Sequence, residues 1–126
     1  PESYVEMRNF STLSPNVVLS AGSDDYLNGI ATPLVDSKYK GNVEIGKIIL
    51  HEHAIIGSNS TVLPNVSLNK GSSVGANSLI NRDLQEWSLN VGIPSRKIKN
   101  RDKNIILGLE KDFFEENASK KEDNGG

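Results

Sequence analysis

Branched aliphatic residues recur at every sixth position through the middle of the chain. Steps of six from Leu50 reach only Leu, Ile or Val: Leu50, Ile56, Val62, Leu68, Val74 and Ile80. Small or β-branched residues follow the first five of them by four positions: Ala54, Ser60, Val66, Ser72 and Ser78. A period of six fits neither a helix nor an alternating strand, but it fits a short strand followed by a corner. The pattern predicts a coil with one large and one small inward position per side.

Three such sides make one turn of about 18 residues, as in a parallel β-helix. The sequence repeats at this longer distance too, because Ile56-Gly57-Ser58-Asn59-Ser60 returns as Val74-Gly75-Ala76-Asn77-Ser78. Three pairs are therefore predicted to stack: Leu50 under Leu68, Val62 under Ile80, and Ser60 under Ser78. A β-sandwich with Gly-rich turns is the alternative, but it predicts alternating polarity and a strand spacing of about 8–12 residues, which this stretch lacks.

The N-terminal residues carry the same rhythm in a different phase, at Met7, Leu13 and Leu19. Between Leu19 and Leu50 the phase slips by one, so residues 20–47 are predicted to project from the coil as a loop. Long insertions in compact repeats are usually functional. We therefore expect this loop to contribute to a site.

The period stops after Asp83, and the remaining sequence predicts three further segments. Gly92-Ile93-Pro94-Ser95 is typical of a turn and precedes a basic stretch, residues 96–101. Residues 104–116 are predicted to form a short helix, weakened by Gly108. Residues 117–126 are polar and are predicted to be disordered. The organisation is thus a coil over residues 1–100, a helix over 101–116 and a tail.

Composition and charge exclude several classes of function. The chain has no Cys, which excludes disulfides, thiolate zinc sites and a Cys nucleophile and favours the cytoplasm. Its 14 Lys and Arg against 16 Asp and Glu give a net charge of −2, which argues against nucleic-acid binding. No apolar run approaches the ~20 residues of a membrane span, and residues 1–20 lack the pattern of a signal peptide.

The hexads, the following Asn81-Arg82-Asp83 and the terminal Gly92-Ile93-Pro94-Ser95-Arg96 together resemble the hexapeptide-repeat acyltransferases. The similarity covers roughly residues 7–101 and is nearest to the galactoside, maltose and O-antigen acetyltransferase branch. It implies an all-β fold, a left-handed parallel β-helix, and a homotrimer that transfers an acetyl group from acetyl-CoA. The implied acceptor is a sugar, amino sugar or nucleotide sugar destined for a bacterial surface glycan such as lipopolysaccharide.

The resemblance also implies cofactor-binding residues where the motifs match. Backbone groups of Ser58 and Ala76, one coil apart, would bind the pantetheine arm. Asn81 and Arg82 stand where the family has a Thr-Lys pair, which keeps one hydrogen-bonding group and one positive charge. Arg96 and Lys99 match two further basic residues. Cations at one end of a groove suit the phosphates of CoA, whereas the alternative is that this basic run only solvates the last coil.

The resemblance predicts a catalytic His in the loop, but the matching position is Asp24, followed by Asp25. An unperturbed carboxylate, with a pKa of about 3.9, is a weak base for a sugar hydroxyl. An amino-sugar nitrogen is already partly neutral near pH 7 and needs orientation and late removal of a proton. We therefore expect the acceptor to be an amine. Asp24 or Asp25 is expected to orient it, to remove its proton late in the reaction, or to bind it. The alternative is that both are turn residues.

The chain has two His residues, His51 and His53, and three roles are open to them. They are a solvated corner, which we favour, a catalytic base at His53, or a zinc site as in the related γ-class carbonic anhydrases. That zinc site needs a third His that the sequence lacks, so no metal is expected.

A chain with few coils buries too little apolar surface to be stable as a single copy. Each inward aliphatic residue contributes ~1.5–3 kcal/mol, whereas ordering the backbone costs about 1 kcal/mol for every residue. Packing against identical copies is therefore expected. The chain begins at Pro1 close to a hexad and has few coils for such a family, which suggests a shortened or minimal member. Direct attack on the thioester is the expected route, since no Cys or base-activated Ser is evident. A non-catalytic CoA-binding or scaffolding β-helix remains the alternative.

Overall fold

The chain forms a three-sided coil with a projecting loop and a long C-terminal helix. A computed structural model describes residues 3–125, and their side chains as far as Lys120. The strands and helices within those residues are β1 Tyr4–Met7, β2 Thr12–Leu13, β3 Val18–Leu19, β4 Gly22–Ser23, the 3₁₀ helix Ser37–Tyr39, β5 Glu44–Ile45, β6 Lys47–Leu50, β7 Ile55–Ile56, β8 Thr61–Val62, β9 Val66–Leu68, β10 Ser73–Val74, β11 Leu79–Ile80, β12 Ser88–Val91, β13 Arg96–Asn100 and α1 Lys103–Gly125.

The strands stack into three parallel faces, as the six-residue rhythm predicts. The first face contains β1, β6 and β9, the second β2, β7, β10 and β12, and the third β3, β8 and β11. Successive strands of one coil belong to different faces, so the backbone hydrogen bonds run from coil to coil along the axis. The parallel β-helix architecture is confirmed.

The aliphatic residues of the repeat form the core of the prism. In register, Leu50 pairs with Met7 and Leu68, Ile56 with Leu13 and Val74, and Val62 with Leu19 and Ile80. The six from Leu50 to Ile80 are buried, and the predicted stacks of Leu50 under Leu68 and Val62 under Ile80 are confirmed. Ser60 lies under Ser78 and its Oγ accepts a hydrogen bond from the Ser78 N–H at 3.1 Å. The small inward residues therefore stabilise the coil by hydrogen bonding as well as by filling space.

The coil continues past Asp83, where the sequence period ends. Leu84 is buried and forms a bridge with Leu68, and β12 pairs in parallel with β10. The chain then reverses at residues 92–95, and β13 pairs with β12 in the antiparallel direction. This reversal covers the last parallel strand of the second face, so the coil ends there.

The predicted loop is present and leaves the coil through a narrow neck. β4 pairs with β5 in an antiparallel ladder, with Gly22 opposite Ile45 and Ser23 opposite Glu44. The Gly46 N–H also donates to the Ala21 carbonyl at 3.0 Å. The two ends of the insertion thus lie side by side, and the intervening residues project as one unit.

One corner of the prism carries aromatic rings, and we call Phe10, His53, Gly71 and Trp87 the aromatic corner. All four have positive φ, between 54° and 76°. The His53 ring stacks on Phe10 with centroids 5.0 Å apart and lies 6.0 Å from the Trp87 ring. A side chain at Gly71 would overlap the Trp87 ring, so this glycine makes the close approach possible.

Helix α1 runs back along the aromatic corner from the last coil to the first. At its start, the Arg101 side chain donates to the carbonyls of His53 and Gly71, both at 2.9 Å. Partial burial lowers the pKa of the Arg101 guanidinium, which still stays protonated near neutral pH. About midway along the helix, Phe113 and Phe114 meet the Phe10 ring edge to face.

The helix is longer than the sequence predicts. It was expected over residues 104–116 with a disordered tail over 117–126, but it runs from Lys103 to Gly125, and residue 126 lies outside the described residues. The Asp102 carboxylate caps its start by accepting the Ile105 N–H at 3.0 Å. Polar sequence alone does not end a helix, and the i,i+4 ion pair of Glu116 with Lys120 supports it beyond residue 116.

Candidate active site

Ser58 and Ala76 lie on one corner of the prism, as predicted for the pantetheine arm. Their coils are in register through Ile56 and Val74, and the Asn77 N–H donates to the Ser58 carbonyl at 2.9 Å. The preceding Gly57 packs so closely on the next coil that an added Cβ would lie 2.6 Å from the Ala76 nitrogen. This corner therefore presents a narrow column of backbone, with small side chains, to any ligand along the coil axis.

Three basic residues and one aspartate, Asp83, contribute to the lining of a cavity of about 410 Å³ near the last coil. Arg82 and Arg96, both predicted to bind CoA, line it together with the buried Asn90 and Ser95. The 92–95 turn is held in place because the Leu79 N–H donates to the Gly92 carbonyl and the Ser95 N–H to the Leu79 carbonyl. Two arginines facing one cavity form a suitable site for phosphate groups.

The structure divides the other predicted cationic and polar residues. Lys99 pairs with Leu89 further along β13 and does not line the cavity, and neither does Asn81. Lys97 lines it instead, and its Nζ donates to the Gln85 side chain at 3.0 Å. Sequence reasoning missed Lys97 because the antiparallel pairing of β13, which is not visible in the hexad pattern, decides which side chains face the cavity.

The loop encloses a second, shallower cavity of about 350 Å³. Its lining is polar and acidic: Ser23, Asp24, Asp25, Tyr26, Leu27, Asn28, Asn42 and Glu44. The Asp24 side chain is exposed and makes no hydrogen bond with the side chains or backbone described between residues 3 and 120. Its carboxylate is therefore available to a ligand at this cavity.

Asp25 has a different task from the catalytic role that the sequence suggested. Oδ1 accepts the N–H groups of Leu27 and Asn28 at 2.9 and 3.0 Å, and Oδ2 accepts that of Asn42 at 2.9 Å. These hydrogen bonds, with that of Asn42 the largest influence, lower the pKa of Asp25 below its ordinary value. A carboxylate with a lowered pKa is a poorer base, so the geometry argues against proton abstraction by Asp25.

His53 belongs to the aromatic corner and is engaged in holding α1. Its side chain is only 12% exposed, and Nε2 lies 3.2 Å from Glu110 Oε1. It stands at the corner between the first and second faces, whereas Ser58 and Ala76 stand between the second and third, and the loop between the third and first. The burial of the His53 ring and its contact with Glu110 argue against its predicted role as a base.

The two histidines do not form a shared site. Nδ1 of His51 lies 3.0 Å from Nη1 of Arg8, away from the Glu110 contact of His53. Among residues 3–120, no group of three or more His, Cys, Asp and Glu side chains is arranged to hold a metal ion. The described side chains therefore offer no support for the zinc alternative.

Comparison with known proteins identifies sugar acyltransferases as relatives. No family model matches the sequence. The chain is 33% identical over 103 residues to dTDP-4-amino-4,6-dideoxy-D-glucose acyltransferase of Escherichia coli, a match that covers 81% of this chain and 53% of the relative. It is 38% identical to the solved structure of AntD, an N-acyltransferase from Bacillus cereus, with a TM-score of 0.85 over 89% of this chain and 60% of that one.

The similarity is thus to hexapeptide-repeat sugar acyltransferases. AntD structures contain coenzyme A together with dTDP or dTDP-4-amino-4,6-dideoxyglucose, and one contains 3-hydroxybutyryl-CoA. The fold also resembles galactoside acetyltransferase in complex with coenzyme A, with a TM-score of 0.64 at 22% identity. This similarity agrees with the column of Ser58 and Ala76 and with the cavity of Arg82 and Arg96.

Two further findings define the comparison. The chain spans 53% of the length of the Escherichia coli relative and 60% of the AntD chain. AntD has also been crystallised as variants of one serine and of one aspartate ten positions later, in both cases with coenzyme A bound. Separately, no helix among the described residues is both long and apolar enough to cross a membrane.

Proposed function

We propose that the protein transfers an acyl group from acyl-CoA to the amino group of a nucleotide-linked amino sugar. The observation that carries the proposal is its similarity, over 89% of its length, to an N-acyltransferase crystallised with coenzyme A and a dTDP-linked amino sugar. The expected scaffold is a left-handed parallel β-helix. Acetyl-CoA is the expected donor, and the product is expected to enter a surface glycan assembled from the cytoplasm.

The site offers each half of the reaction its own surface. Ser58 and Ala76 supply a narrow backbone column for the pantetheine arm, and Arg82 and Arg96 supply charges for the phosphates. Asn81 and Lys99 remain predicted contributors at the periphery. The acidic cavity of the loop suits an acceptor that carries a basic nitrogen, with Asp24 as the available carboxylate.

The chemistry needs no covalent enzyme intermediate. The neutral amine attacks the thioester carbonyl, forms the C–N bond and expels the coenzyme A thiolate as the C–S bond breaks. The nitrogen loses one proton and the thiolate gains one, so the products are an amide and free coenzyme A. Asp24 orients the ammonium and amine forms of the acceptor and accepts their hydrogen bonds.

Ser14 is proposed as a partner of Asp24. The two are ten positions apart, the same spacing as the serine and aspartate varied in AntD. Ser14 follows β2 and stands beside Gly57, one coil before the Ser58 column. Ser73 and Asp83 have the same spacing, but both side chains form hydrogen bonds to the backbone of neighbouring coils. Ser14 and Asp24 are therefore the better candidates to correspond to the serine and aspartate varied in AntD.

A homotrimer is part of the proposal. The loop exposes large apolar side chains almost completely, with Tyr26 at 86%, Leu27 at 89% and Leu34 at 91%. Exposed apolar groups at the tip of a projecting segment favour an interface, and copies of the same chain are the simplest partner. Light scattering of the purified protein tests this state directly.

The decisive experiment measures thiol release from acetyl-CoA in the presence of dTDP-4-amino-4,6-dideoxyglucose. We expect turnover with this acceptor and none with dTDP-glucose, which presents hydroxyl groups alone. Asp24→Asn should lower kcat/KM for the acceptor by tenfold or more, whereas the affinity for CoA stays unchanged. Binding of CoA without turnover on any amino sugar would instead indicate the non-catalytic alternative.

A further inference from the structure

Asp25 joins the two ends of the loop through its side chain. Oδ1 binds the outgoing arm at Leu27 and Asn28, and Oδ2 binds the returning arm at Asn42, seventeen residues later. Within the described part of the loop, few other hydrogen bonds connect the arms, for example Ile30 to the Tyr39 carbonyl at 2.9 Å. One carboxylate therefore supplies three of the hydrogen bonds that give the loop its shape.

Glycines at two positions allow the arms to meet at this carboxylate. Gly41 has a φ of +69°, and a Cβ there would overlap Oδ2 of Asp25. Gly29 faces the backbone of Lys40, where a Cβ would overlap the carbonyl oxygen. A side chain at either position would separate the arms or displace the carboxylate.

The fixed backbone at Asp25 determines where its neighbours point. Asp24 and Tyr26 flank it in sequence, and both line the loop cavity together with Asn42, whose N–H is bound by Asp25. The opposite wall contains Glu44, which pairs with Ser23 in the neck of the loop. Loss of the Asp25 hydrogen bonds would loosen the contact between the arm that carries Asp24 and the arm that carries Asn42 beyond the β4–β5 neck, which still joins the two arms at their base.

We propose that Asp25 is a positioning residue that builds the acceptor pocket from the two arms of the loop through its hydrogen bonds to their backbone. This proposal rests on the proposed function, because it takes the loop cavity as the acceptor site. It assigns the adjacent carboxylates separate tasks, with Asp24 facing the ligand and Asp25 facing the backbone. The lowered pKa of Asp25 agrees with this division, since its carboxylate stays ionised at neutral pH.

Two substitutions test the proposal from opposite sides of the same contact. Asp25→Ala removes the acceptor of the three N–H groups, and Gly41→Ala displaces the carboxylate while leaving it in the chain. Asp36→Ala is the matched control, because Asp36 is in the same loop and its side chain makes no capping hydrogen bond to the 3₁₀ helix. All three can be compared as full-length protein.

Both test variants should raise KM for the amino-sugar nucleotide at least tenfold and leave KM for acetyl-CoA within twofold. Their amide hydrogens at residues 27, 28 and 42 should exchange at least tenfold faster than in the wild type. The control should change neither quantity. Faster exchange with an unchanged acceptor KM would overturn the positioning role, and so would an unchanged exchange rate. An inactive wild-type protein would contradict the proposed function while leaving the exchange test of the loop intact.

Discussion

The imidazole of His53 lies flat on the ring of Phe10, with 5.0 Å between the ring centroids and 4° between the ring planes. The same imidazole contacts Glu110 of α1, so one side chain joins the first coil, the second coil and the helix. Its positive φ of 63° is strained for a histidine, and these contacts compensate for that strain.

Replacement of this imidazole should weaken the fold but leave the chemistry intact. His53→Ala removes a stacked ring and a partly buried hydrogen bond, so it should lower the free energy of unfolding by about 1–3 kcal/mol. His51→Ala, in an exposed position, should change it by less than about 0.5 kcal/mol. Urea unfolding monitored by the fluorescence of Trp87 measures both. Loss of acyl transfer in a fully folded His53→Ala protein would restore the catalytic role that the sequence suggested.

The two glycines at positions 71 and 108 should respond to alanine in opposite directions. Gly71 has positive φ and faces the Trp87 ring, so Gly71→Ala should destabilise the protein by more than about 1 kcal/mol and change the Trp87 emission. Gly108 is exposed within α1 and has open space around it, so Gly108→Ala should stabilise the helix by about 0.5–1 kcal/mol. Thermal melts of the two variants give the comparison, and two shifts of the same sign would contradict this account.

Arg96 lines the basic cavity and Lys99 does not, although the sequence predicts both to bind CoA. Arg96→Ala should weaken CoA binding about tenfold, or about 1.4 kcal/mol, whereas Lys99→Ala should change it less than twofold. Calorimetric titration with CoA measures both values. Acetyl-pantetheine lacks the nucleotide phosphates, so turnover of this donor should be similar in the wild type and in Arg96→Ala. Equal losses of CoA affinity in the two variants would show that the cavity is not the phosphate site.

The order of the loop should depend on pH with a definite sign. The pKa of Asp25 is lower in the folded loop than its ordinary value of 3.8, so its contribution to loop order is fully present above that value. The contribution is lost only as the pH falls through the lower, folded pKa. The Asn42 amide resonance should therefore stay constant from pH 7 to pH 5 and shift below pH 3.8. A shift that is centred above pH 5 would contradict the hydrogen bonds described here.

The hexad positions predicted the coil because the inward or outward direction of each side chain is set locally. The same six-residue pattern therefore indicates the same strand and corner wherever it recurs. The phase slip before Leu50 likewise predicted the loop. The aromatic corner was not predictable, since Phe10, His53 and Trp87 adopt a conformation usually reserved for Gly or Asn. Their neighbours across coils, and α1 beside them, make it stable.

The candidate site was predictable to a lesser degree. The position of Ser58 one coil before Ala76 follows directly from the repeat, whereas their role in binding pantetheine stays a prediction from the resemblance. The tasks of Asp24 and Asp25 depend on where the returning arm of a loop of more than twenty residues lies. The spacing of residues in the sequence does not predict the position of that arm. Similarly, the choice of Lys97 over Lys99 depends on an antiparallel register set by a bulge between Leu89 and Asn90.

The course of α1 along the whole prism has a consequence for how the protein comes apart. Solenoids without such a brace fray one rung at a time from either terminus, because each rung contacts only its neighbours. Here the helix is anchored at Arg101 to the late rungs and at Phe113 to the earliest one. Neither terminus can therefore peel away alone, and the subunit is expected to melt as a single cooperative unit.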